Sequence, residues 1–91
     1  MTNANQTHRI SVTQADIQAG VRRDPSSCPL ALAASRFFKR DCLVGTETIA
    51  MGPNGGGRSF VFSQKVADLI GEFDTYGRMR PFTCVVRLGR E

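Results

Sequence analysis

From His8 to Val12 the chain alternates, with Ile10 and Val12 on one side and Arg9 and Ser11 on the other, the two-residue period of a half-buried strand. Thr13 then has the chemistry of a helix N-cap, Asp16 falls at the third helical position and Gly20 is a stop, which predicts a short helix over Gln14–Ala19. After the charged turn Arg22-Arg23-Asp24-Pro25, the run Ser26-Ser27-Cys28-Pro29-Leu30-Ala31-Leu32-Ala33-Ala34 combines a capping serine, an early proline and an apolar stretch. These announce a second, buried helix from Cys28 or Pro29 to about Lys39, with Leu30, Ala33, Ala34, Phe37 and Phe38 on its apolar side. Arg36, Lys39 and Arg40 gather near its C-terminus, where cations suit the helix dipole.

Leu43 to Met51 is β-prone and mixed in polarity, and Arg58 to Ser63 alternates with Phe60 and Phe62 inward. The two runs read as a hairpin around Gly52-Pro53-Asn54-Gly55-Gly56-Gly57. Ser63 caps a third helix in which Val66, Leu69, Ile70 and Phe73 recur at helical spacing, and Gly77 ends it. Phe82 to Leu88 is a last strand, free to pair with the first strand or with the hairpin. The pattern predicts an α+β domain of order β-α-α-β-β-α-β, its helices on one face of a mostly antiparallel sheet. Residues 1–7 are expected to be a loose tail and 8–91 a single domain.

Size adds a constraint, since 91 residues bury only about 60–65% of the surface that the unfolded chain exposes. Stability is then marginal or shared with a partner, as a monomer or a homodimer. No run reaches the roughly 18 apolar residues of a membrane span, and the N-terminus has neither a basic nor an apolar signal segment, so a cytoplasmic protein is expected. Cys28, Cys42 and Cys84 cannot all pair within one chain and match no zinc or redox spacing. They read as core hydrophobes, although the dipole of the second helix would lower the pKa of a thiol at its start, Cys28.

The chain carries a net charge of +4, and ten of its twelve basic residues are arginine. A GC-rich genome would account for that bias, as would a need to meet carboxylates or phosphates with a planar fork. The cations fall in three groups: Arg22 with Arg23, Arg36 with Lys39 and Arg40, and Arg78 with Arg80, followed by Arg87 and Arg90. If the second helix and the last strand were neighbours, two of these groups would merge into one phosphate-contacting patch. Tyr76 is the one aromatic placed to interleave with them.

Gly52 to Ser59 matches the spacing of a phosphate-binding loop, with Arg58 in place of the lysine. A true phosphate loop runs from strand into helix, whereas Ser59-Phe60-Val61-Phe62 reads as strand, so a hairpin tip is the better reading. Asn54 and Arg58 stay candidates for contact with a partner's phosphate or carboxylate. A Ser-His-Asp or Cys-His device is nearly excluded because His8 is the single histidine. Asp68, Glu72 and Asp74 read as a solvated helix face rather than a metal or proton-transfer site. No cofactor is expected.

Taken in order, Ile10 to Gly20, Cys28-Pro29-Leu30-Ala31-Leu32-Ala33, Ile70-Gly71-Glu72-Phe73-Asp74 and Arg80-Pro81-Phe82 resemble small uncharacterised proteins of bacteriophages and other mobile elements. The resemblance covers most of the chain and implies a fold and a bacterial setting, with no activity. Two functions are expected. The first is a non-enzymatic inhibitor that binds a host protein or ribonucleoprotein of a defence system, an anti-CRISPR protein acting on a CRISPR–Cas effector being the concrete case. Its contacts are expected from Arg36, Lys39, Arg40, Asn54, Arg58, Tyr76, Arg78 and Arg80. The second is a direct binder of nucleic acid or nucleotide through the arginines and the glycine loop. A small enzyme built on Cys28 or Glu72 comes last.

Overall fold

Strand alternation decides which side of the sheet is filled. In the computed structural model, which describes residues 7–51 and 59–89, β1 (Thr7–Val12) pairs antiparallel with β5 (Phe82–Leu88), placing Ile10 opposite Cys84 and His8 opposite Val86. These residues all face the same way, towards the helices. β5 pairs on its other side with β4 (Ser59–Val61), β4 with β3 (Thr48–Met51), and β3 with β2 (Cys42–Val44). The result is a five-stranded antiparallel sheet of order β1-β5-β4-β3-β2. The last strand therefore uses both of the pairings open to it.

The α+β class holds, with one strand more than the pattern predicts. Leu43 to Met51 is two strands, because Val44 pairs with Ile49 and the Gly45 amide donates to the Thr48 carbonyl at 2.7 Å, closing a turn at Thr46-Glu47. The observed order is β-α-α-β-β-β-α-β. The mixed polarity of that run is the trace of a turn inside it. Thr7, the expected end of the tail, belongs to β1, which starts one residue earlier than the pattern predicts.

α1 (Gln14–Ala19) begins as the residues require: the Thr13 hydroxyl accepts from the Asp16 amide, and the Asp16 carboxylate accepts from the Thr13 amide at 2.9 Å. α2 (Pro29–Phe38) starts differently from expectation. Its N-cap is Cys28, which makes no side-chain cap bond, while Ser26 is held by the Asp24 carboxylate through its amide and hydroxyl. The serines build the turn that delivers α2; they do not cap it. α2 buries Pro29, Leu30, Ala31, Ala33 and Ala34, and small side chains let it lie close on β1 and β2. Phe37 belongs to the apolar side of the sequence pattern but is 45% exposed, lying edge-on to His8 and Phe38. The three faces of the helix cannot all reach the sheet, and Phe38, stacked on Phe60, takes the inner place.

α3 (Gln64–Tyr76) is capped by Ser63 and stopped by Gly77, whose φ of 74° is a left-handed conformation that favours glycine. Its last carbonyls are closed from a distance: the Arg22 Nε donates to the Asp74 carbonyl at 3.1 Å and Nη2 to the Thr75 carbonyl at 2.6 Å. The charged turn after α1 is thus a clamp on the end of α3.

One buried ion links these parts. Asp16 is 4% exposed, and its carboxylate accepts from the Thr13 amide and hydroxyl and from both terminal nitrogens of Arg36, at 2.6 and 3.0 Å. Burial pushes the carboxyl up, but the Arg36 fork and the Thr13 donors outweigh it and hold Asp16 below its ordinary value of 3.8. A depressed native pKa contributes stability that is present at neutral pH and is lost as pH falls through that lowered value.

Gly20 serves a packing need beyond ending α1. Its φ of −70° suits any residue, yet a Cβ there would stand 2.6 Å from the Pro29 ring at the start of α2. Gly20→Ala is expected to cost about 1–3 kcal/mol in urea unfolding, because a proline ring cannot swing aside. Pro29→Ala in the same chain should recover part of that loss. An alanine variant as stable as the parent would contradict this packing.

Candidate functional site

Three of the residues singled out from sequence come together. Tyr76 ends α3, and Arg78 and Arg80 follow it in the extended segment that leads into β5. With Gln14, Ile17, Leu69, Glu72 and Met79 they line an open groove of about 890 Å³ between α1 and α3. Tyr76 is 63% exposed, and the Arg78 guanidinium lies 5.9 Å from its ring centroid, within cation–π reach. Arg80 makes no hydrogen bond or ion pair with the described residues. The groove presents an aromatic ring, two guanidinium forks and a carboxylate to whatever enters it. Gln14 and Met79 join it without any motif to mark them, and the only sequence trace is a methionine between two arginines in a stretch too polar for a core strand.

The other candidates are dispersed. Arg36 is engaged in the fold through Asp16 and, by Nη2, through the Ser11 carbonyl at 3.2 Å. Lys39 adopts a left-handed conformation just past α2 and is exposed, as is Arg40 beside it. Asn54 and Arg58 lie outside the described residues, as does the glycine segment between them. The segment after that loop is strand β4, the context of a hairpin and not of a phosphate loop. The cations of α2 and of the last strand do not merge: α2 packs on β1 and β2, and Arg87 on β5 alternates away from the helices, whereas Arg22 reaches the end of α3 beside Arg78.

His8 is ringed by Phe37, Phe38 and Phe60, with centroids 5.4–5.5 Å away. Its neighbours are ring edges and not a carboxylate. Among the described residues no three His, Cys, Asp or Glu side chains converge as a metal set, and no helix is long and apolar enough to cross a membrane. Asp68 accepts from the Gln64 side-chain nitrogen at 2.9 Å and Asp74 from the Arg23 backbone amide at 2.8 Å, so the first serves its own helix and the second holds the turn after α1. Comparison with family models, with curated proteins and with solved structures returned no match.

A second groove, of about 480 Å³, has Cys28 at its base with Asp24 and Asp74 on its wall. Cys28 is 3% exposed, and burial pushes its thiol up, with the two carboxylates pushing the same way against the Leu30 and Ala31 amides. Desolvation outweighs the helix terminus, so the thiol stays protonated and unreactive. Burial likewise pushes up Cys42 and Cys84. In the folded protein all three thiols should react with a disulfide reagent at pH 8 at least about 100-fold more slowly than in urea. One equivalent reacting at the unfolded rate would contradict this.

Proposed function

We propose that this chain acts by docking and not by turnover, as a phage or mobile-element protein that binds and inhibits a host defence complex. The observation that supports it is the convergence of Tyr76, Arg78 and Arg80 on one open groove, with Arg80 unengaged by the described residues. Tyrosine and arginine anchor interfaces well, since each offers a large, stiff contact area with a polar end. A stable complex needs about 800 Å² from each partner, and a domain of this size can present it. A CRISPR–Cas effector is the concrete candidate, because the phosphates of its guide RNA are anions that suit guanidinium forks. The cytoplasm of a bacterial host is where such a target lies.

Direct binding of nucleic acid draws less support. Of the basic residues near Tyr76, Arg22 is engaged by the Asp74 and Thr75 carbonyls, and Tyr76 is alone as a stacking platform beside them.

Tagged protein incubated with lysate of a CRISPR-active host should recover the effector complex, and expression in that host should protect an otherwise targeted phage. Tyr76→Ala with Arg78→Ala and Arg80→Ala should weaken recovery at least about tenfold without lowering Tm, since the three side chains are exposed. Recovery of no defence assembly together with no phage protection would overturn the reading.

A further inference from the structure

We propose that the face of the sheet left uncovered by the described residues is a second docking surface, one that takes an acidic, partly apolar segment of another protein. This face lies across the sheet from α1 and α3, whose residues line the Tyr76 groove. At its centre Val85 of β5 is 53% exposed, and Val61 of β4, also exposed, pairs with Arg87 of β5, two residues along. Val61 and Val85 are therefore diagonal neighbours, about 7–8 Å apart on the same face. Arg9 of β1 pairs with Val85, so two arginines flank the valines.

Charge selects the occupant. Arg9 and Arg87 are exposed and make no hydrogen bond or ion pair with the described residues, and no described strand residue on this face is acidic. A second copy of the same face would set guanidinium against guanidinium, which opposes a symmetric dimer here. A single-stranded nucleic acid needs aromatic rings on which to stack its bases, and the strand residues on this side are aliphatic, hydroxyl-bearing or arginine. An acidic protein segment with apolar side chains between its carboxylates meets both features. It binds flat on the face and does not extend the sheet, because both outer strands are engaged: Arg36 occupies the Ser11 carbonyl of β1, and the Cys42 and Val44 amides of β2 donate to the Ser35 hydroxyl and the Pro25 carbonyl.

The test is an NMR titration of the full chain with a synthetic peptide of repeating Asp-Asp-Val-Val, whose extended form carries both residue types on each face, at low salt, beside a peptide of repeating Lys-Lys-Val-Val and a single-stranded oligonucleotide. Amide shifts should cluster at Arg9, Val61, Val85 and Arg87 with the Asp peptide alone. Arg9→Glu with Arg87→Glu should raise its Kd at least about tenfold, and Val85→Ser about three- to fivefold. If charge reversal lowers Tm, Arg9→Gln with Arg87→Gln reads the same interaction. An unshifted spectrum, shifts confined to the helical side, an equal response to the Lys peptide, tighter oligonucleotide binding at these residues, or self-association through this face would each overturn the proposal.

Discussion

Asp16 ties β1, α1 and α2 of this protein together. It is a carboxylate almost without contact with water, and four donors make that burial tolerable: two from Thr13, which starts α1, and two from Arg36 on α2. The same arginine reaches the Ser11 carbonyl, so β1, α1 and α2 meet at one charge. Arg36 has a 55% exposed side chain and loses little hydration there, while Asp16 would be stranded without it. The dependence is therefore lopsided. α1 is only six residues long and buries no apolar side chain fully, Ile17 packing partly buried on the core, so the node carries much of its positioning.

With the helices fixed on one side, no described element covers the other side of the sheet. The inward positions are filled by Ile10, Ile49, Phe60, Cys84 and Val86. The outward positions of β1 and β5 carry hydroxyls, valine and arginine, with the Ser11 and Thr83 hydroxyls 3.0 Å apart. The groove between α1 and α3 is held by the same logic, because Arg22 closes the end of α3 beside Tyr76 and Arg78. Arginine has two uses in this small domain. Arg22 and Arg36 satisfy backbone and carboxylate within the fold, and Arg78, Arg80, Arg9 and Arg87 stand outward, which supports a role in binding.

What is legible in the sequence is what is local. The alternation of β1, the reciprocal capping of Thr13 and Asp16, the Ser63 cap and the Gly77 stop each depend on residues within a turn or two of one another. The Arg36 fork on Asp16 spans twenty residues and the Arg22 clamp on α3 more than fifty, and no period or spacing announces either. The serines before α2 mislead because a cap and an Asp-anchored turn use the same residue types; which one forms depends on where the chain must go next. Phe37 and Phe38 are adjacent apolar residues, and only the position of Phe60 decides which is buried. In the candidate site, Tyr76, Arg78 and Arg80 are visible as neighbours in sequence, while Gln14 and Ile17 join them only because α1 packs nearby. The outward sheet face is implicit in the alternation, as is Arg87 two residues from Val85, but its charge becomes readable only once the β1–β5 register sets Arg9 opposite Val85.

A double-mutant cycle on Asp16→Asn and Arg36→Met, read by urea unfolding at pH 7 and again in acid, tests the central claim most directly. A coupling of about 1–2 kcal/mol is expected at pH 7, fading as pH falls through the lowered pKa of Asp16, where protonation uncharges one partner. Additive effects at pH 7, within about 0.3 kcal/mol, would contradict it.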